Sequence, residues 1–170
     1  MTINTKSGGH FKKIIEQIGD DSMTTHILIS VYPRIMRLLE SGIKNFEFRP
    51  FVINDDEIVM WIYETKPKMM LTAKMTVQNP VSDLPFGAHY GLGDHEFFQI
   101  INTGRVAYKV IELKKIDSPI SIKELKTIYN LGNAPQNFVY LSNYPRLLEC
   151  LLNRKSYRQT SLYFKDGPVL

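Results

Sequence analysis

The sequence predicts one mainly β domain of α+β class, a small antiparallel β-barrel, closed or nearly closed, with helices packed on its outside. Three observations predict it. Residues 45–51, 58–65 and 70–77 are apolar or alternating runs of strand length. Helix-period stretches fall between some of these runs, which together make roughly five to seven short strands connected mostly as neighbours. The chain has 170 residues and 44% apolar content, enough for one core and too few for two ordinary domains.

Each element follows from its own residues. Phe11, Ile14, Ile15 and Ile18 recur at three and four, predicting a short amphipathic helix before the turn at Gly19-Asp20-Asp21-Ser22. Residues 1–23 are accordingly an N-terminal extension, and 24–170 are the domain with its C-terminal helix and tail. His26 to Tyr32 is a branched, apolar run bounded by Pro33 and reads as a buried strand. Pro33 suits a first helical turn, Ile35, Met36, Leu38 and Leu39 give that helix a face, and Gly42 takes the left-handed stop. From Asn45 to Phe51, Phe46 and Phe48 point one way and Asn45, Glu47 and Arg49 the other.

Asn54-Asp55-Asp56 reads as a hairpin turn into a strand over 58–65. Met70 to Val77 is a half-buried strand, with Leu71, Ala73, Met75 and Val77 opposite Thr72, Lys74 and Thr76. Asn79 to Gly93 reads as a long binding loop. Asp94 then caps a helix through Ile101 that stops near Gly104, and Val106 to Lys115 is another strand. Ser121 and Glu124 have capping-box spacing for a helix at 122–129 ended by Gly132. A strand at 138–141, a helix at 144–153 and a last strand at 161–164 complete the expectation.

The net charge is +4, and its basic excess falls late: residues 101–142 carry 6 basic against 3 acidic side chains, and 143–170 carry 5 against 2. That balance leans toward an anionic partner such as nucleic acid. No apolar run is long enough to span a bilayer and no signal-peptide pattern opens the chain, so a cytoplasmic protein without membrane attachment is expected. The single cysteine, Cys150, sits among leucines and reads as a small buried thiol. His89, Asp94, His95 and Glu96 read as loop and helix-cap residues, so neither metal nor other cofactor is expected.

The segment Ile27 to Pro33, the helix after it, and Ser41-Gly42-Ile43-Lys44-Asn45-Phe46-Glu47-Phe48-Arg49 together resemble the signature of ASCH domains: strand, proline-initiated helix, then Gly-x-Lys-x-x-Glu-x-Arg. Tyr63-Glu64-Thr65-Lys66-Pro67 is similar to the family's Tyr-x-Thr-x-Pro strand end, and Pro135-Gln136-Asn137-Phe138-Val139-Tyr140-Leu141 to its late Pro-Gln-x-Phe-x-Tyr-Leu segment. The resemblance spans residues 27 to 141. It implies a PUA-like barrel whose cleft takes RNA or a nucleotide at Lys44, Glu47 and Arg49, with Tyr63, Thr65 and Gln136 as further cleft residues.

The chemistry of these residues agrees. Lys44 is a mobile point charge and Arg49 a planar fork suited to phosphate or a base edge. Glu47, two residues before Arg49 on the same strand face, can hold Arg49 or accept from a base amine; the plain alternative is a solvated surface pair, which is nearly neutral in energy. Trp61, Tyr63 and Tyr140 are able to stack on bases, while aromatics on barrel strands more often form core. The resemblance also covers small hydrolases. In the amidohydrolases the residue three after the lysine is a threonine nucleophile; here it is Glu47, which removes that route. For an enzyme, a ribonuclease or a nucleoside amidohydrolase, Lys44 and Glu47 are the catalytic candidates. Binding of RNA or a nucleotide is the leading reading, hydrolysis the second, and an interaction domain for a protein partner the third. Nothing in the sequence fixes the oligomeric state.

Overall fold

The computed structural model of the chain describes residues 24–83 and 99–158. The amphipathic stretch at 11–18, His89, residues 94–98 and the strand expected at 161–164 lie outside the described residues. The described elements are β1 (Thr24–Val31), α1 (Pro33–Glu40), β2 (Phe46–Arg49), β3 (Glu57–Glu64), β4 (Met70–Val77), β5 (Val106–Ser121), α2 (Ile122–Thr127), β6 (Phe138–Tyr140), α3 (Pro145–Leu152) and β7 (Ser156–Arg158). Residues 99–101 are helical ahead of Gly104, which has a positive φ of 81°.

The strands form one mixed sheet in the order β2-β5-β4-β3-β1-β6, with β7 added to β5. The sheet curls into a half-barrel. Phe51, just past β2, packs its ring 4.3 Å from that of Phe138 in β6, so the two ends of the sheet order come together. Both faces are covered. One holds Ile27 and Ile29 of β1, Met60 and Ile62 of β3, and Met75 of β4, packed with Met36 and Leu39 of α1. The other holds Leu28, Trp61, Tyr63 and Ile120, packed with Leu125 of α2 and Leu147 and Leu151 of α3. Burial on two faces explains why β3 reads as a continuous apolar run.

Several expectations are met in detail. Gly42 has a positive φ of 72°, the conformation that lets the chain leave α1 and turn toward β2. Ser121 and Glu124 form a reciprocal capping box at the start of α2. Leu71, Ala73, Met75 and Val77 are all buried on β4.

Other elements differ, each for a physical reason. β1 and β3 pair in parallel, from Thr24 opposite Glu57 to Val31 opposite Glu64, so one pair departs from the antiparallel pattern. Residues 54–56 do not close a hairpin, because β2 pairs with β5 and not with β3. The connecting segment is anchored instead by Tyr108, whose hydroxyl accepts from the Ile53 N–H at 2.9 Å and donates to the Phe51 carbonyl at 3.0 Å. β5 runs on to Ser121, past Pro119. Its pairing with β4 jumps from Ala73 opposite Lys115 to Leu71 opposite Ile120, so residues 116–119 bulge and the proline interrupts no ladder bond to β4. α2 stops at Thr127, and Asn130, with φ 57°, takes a left-handed position just past it, ahead of the Gly132 expected to end the helix. β7 at 156–158 was not expected.

Candidate functional site

The turn after α1 and the short β2 strand build the site. The Lys44 N–H donates to the Leu38 carbonyl at 3.0 Å, which folds the turn against the helix and aims the lysine side chain back toward β2. Strand alternation puts Glu47 and Arg49 on one face. Lys44 Nζ donates to Glu47 Oε2 at 2.6 Å and also to the Phe46 carbonyl, while Arg49 Nη2 lies 2.8 Å from Glu47 Oε1. Lys44 and Glu47 are 6% and 5% exposed, so this is a buried three-charge network and not the solvated surface pair. Arg49 Nη2 also donates to the Ser30 carbonyl at 3.0 Å, linking β2 to β1 across the open side of the curl.

Burial by itself would raise the Glu47 pKa. The positive charges of Lys44 and Arg49 and their hydrogen bonds outweigh it and hold the carboxyl below its ordinary value. A carboxyl depressed in the folded state contributes stability that is complete above its unfolded pKa, about 4.3, and is lost as pH falls through the folded value. The thermal midpoint is therefore expected to fall on acidification below that point, and less steeply in Glu47→Gln. Asp55 and Glu124 are lowered too, chiefly by hydrogen bonds from Thr25 and Ser121, so some acid dependence survives the substitution. Equal slopes in the two proteins would show that Glu47 is not held this way.

The network opens on a cleft of about 960 Å³, within the size range of small-molecule sites. Lys44, Glu47, Arg49, Thr65 and Gln136 all line it. Parallel pairing explains how Thr65 arrives there: its N–H donates to the Val31 carbonyl at 3.0 Å, which brings the ends of β3 and β1 to the same rim. Gln136 arrives through the 134–136 segment, held by the Ser30 hydroxyl donating to the Pro135 carbonyl at 2.7 Å.

Tyr63 does not line the cleft. It is 2% exposed and packs in the core shared with α2 and α3, and burial pushes its phenol pKa up. Trp61 lies in the same core, and Tyr140, 43% exposed on β6, is also absent from the cleft wall. Thr72 of β4 donates its hydroxyl to Glu64 at 2.7 Å and is likewise not in the wall. Cys150 is half-buried and accepts from the Tyr129 hydroxyl at 3.0 Å and Arg154 Nε at 3.4 Å, a more polar setting than its leucine neighbours implied.

The wall also holds an aromatic and two arginines that the sequence reading does not assign to a site. Tyr32, 68% exposed, and Arg34 stand at the first turn of α1, and Arg105 follows Gly104. The only sequence signal for the first two was Tyr32-Pro33-Arg34, which also reads as an ordinary helix start.

Solved structures carry this fold. The crystal structure of the ASCH protein from Zymomonas mobilis superposes with a TM-score of 0.59 at 19% identity, covering 77% of this chain and 96% of that one. A tyrosine-to-phenylalanine variant of that protein gives the same score and identity. A serine-to-alanine variant gives 0.58 at 21% identity. The chain has the ASCH-type, PUA-like α+β fold. No protein-family model and no curated protein matches it. Among the described residues no helix is long and apolar enough to cross a membrane.

Proposed function

We propose that the chain binds RNA or a nucleotide in this cleft. The observation that carries the reading is a ligand-sized concavity in which, among the described residues, four cations, Arg34, Lys44, Arg49 and Arg105, face one carboxylate, Glu47. Arg34 and Arg105 are exposed at the rim, whereas Lys44 and Arg49 are fixed in the floor. Exposed arginines suit a phosphate backbone, and Tyr32 beside them offers a ring for base stacking. The fold shared with the ASCH structures is compatible with this role.

Binding is favoured over hydrolysis by the state of Glu47. Both of its oxygens are taken by cations and its pKa is depressed, which makes it a poor general base. Lys44 is committed to Glu47 and the Phe46 carbonyl.

The test is fluorescence anisotropy with a labelled single-stranded RNA at two salt concentrations. Arg34→Ala and Arg105→Ala are the informative variants, because exposed side chains can be removed without disturbing the floor. Each is expected to weaken binding and to flatten the salt slope by about one unit. Arg49→Lys keeps a positive charge but loses the planar fork and is expected to weaken binding about tenfold. RNA affinity unchanged in all three would remove the cleft as the site. No RNA binding by the parent protein, with a protein partner recovered instead, would favour an interaction domain. Turnover of RNA or acetylcytidine that is lost in Lys44→Ala would promote the hydrolase reading.

A further inference from the structure

We infer that the floor of the cleft seats a phosphate group, with the attached base held outside it at the mouth. This rests on the binding reading above and names which part of the ligand goes deepest.

Charge decides the orientation. Lys44 and Arg49 carry two positive charges against the one negative charge of Glu47, and this network has side-chain exposures of only 7–12%. A neutral base pressed onto it would strip away the remaining solvent and leave the excess charge uncompensated, which is costly in a site of low dielectric. A phosphate oxygen compensates it. Among the described residues the wall adds nothing negative besides Glu47, and the first turn of α1, which also faces the cleft, contains no acidic residue and no side-chain cap.

Hydrogen-bonding capacity points the same way. Glu47 has an oxygen on each cation, so among the described residues the floor lacks a free carboxylate to receive a base amine. Arg49 Nε and the Thr65 hydroxyl are buried polar atoms without a hydrogen-bond partner among the described residues, and both residues belong to the wall. Unpaired donors closed off from water destabilise the empty site. A small shift of the two side chains toward the cleft lets an incoming acceptor relieve that cost, and phosphate offers several oxygens to do it. At the mouth, Tyr32 provides a sequence-tolerant surface for whichever base follows.

Calorimetric titration of the full chain with each common ribonucleoside, its 5′-monophosphate and inorganic phosphate tests the orientation. The monophosphates are expected to bind at least about tenfold more tightly than the nucleosides, whichever the base, and inorganic phosphate is expected to compete with them. Thr65→Val and Arg49→Lys should each shrink that advantage. A short oligonucleotide with hydroxyl ends, compared with its 5′-phosphorylated form, separates the sources. Equal affinities assign the seat to a backbone diester, and a preference for the phosphorylated form assigns it to a terminal phosphate.

Nucleosides binding as tightly as their monophosphates, while the oligonucleotide still binds, would overturn the phosphate seat and leave the binding function standing. Failure of every nucleotide and oligonucleotide to bind would overturn both.

Discussion

Glu47→Ala is expected to destabilise the fold by about 3–5 kcal/mol, the usual cost of removing one partner from a buried ion pair and stranding the others. Lys44 Nζ sits 2.6 Å from one Glu47 oxygen and Arg49 Nη2 2.8 Å from the other, with side-chain exposures of 8% and 12%. Without the carboxylate, two like charges share a space closed to most solvent. Arg49 keeps its bond to the Ser30 carbonyl and Lys44 its bond to the Phe46 carbonyl, but carbonyl dipoles do not neutralise charge. The loss is therefore much larger than for an exposed pair, for which roughly 0–1 kcal/mol is typical. Trp61 is the single tryptophan of the chain and is 1% exposed, so its fluorescence in a urea titration reports unfolding directly. The double variant Lys44→Met with Glu47→Leu should recover part of the loss, since apolar groups replace a charge pair together. A Glu47→Ala change of under about 1 kcal/mol would mean that the network is solvated after all.

The same network marks what a sequence can and cannot carry. Lys44, Glu47 and Arg49 were legible because a strand sends alternate residues to one face and because the segment resembles a known signature. Their burial was not legible. It arises from β2 docking on β5 and from α1 folding over the turn, contacts between residues distant in the chain. The bounds of β4 were legible because its alternation is local information. A register shift after Leu71, however, puts that residue in the core shared with α2 and α3 while Ala73, Met75 and Val77 pack in the other, and Thr72 is buried too. The parallel register of β1 with β3 is not local, and short apolar strands pair either way with equal periodicity. The sequence reading ends β5 at Lys115, whereas the structure carries the strand on to Ser121 and accommodates Pro119 in a bulge.

Rim residues follow the same logic. Tyr32 and Arg34 carry the pattern of a helix start, and only the approach of the 134–136 segment turns that start into one side of a cleft. Tyr63 shows the reverse error. Its place in a matched motif implied a cleft residue, yet a register shift falls between Ile62 and Tyr63, and the face it occupies is covered by α2 and α3.

Two tyrosines are expected to separate stability from binding. Tyr63→Ala is expected to cost about 3–5 kcal/mol, the range for deleting a large aromatic from a packed core. Trp61→Ala should fall in the same range, followed by circular dichroism because the fluorophore is gone. Neither residue lines the cleft, so RNA affinity per folded molecule should stay at the parent value. Tyr32→Ala should do the opposite. Its side chain is 68% exposed and caps nothing through a side-chain bond, so its removal should change stability by no more than about 0.5 kcal/mol. Loss of its ring from the mouth should weaken RNA binding by about 1–3 kcal/mol, the usual value of one stacked base. Anisotropy under conditions where every variant remains folded separates the two outcomes. Weakened binding in folded Tyr63→Ala together with normal binding in Tyr32→Ala would move the base contact to the other face of the sheet and refute the placement of the ligand at this cleft.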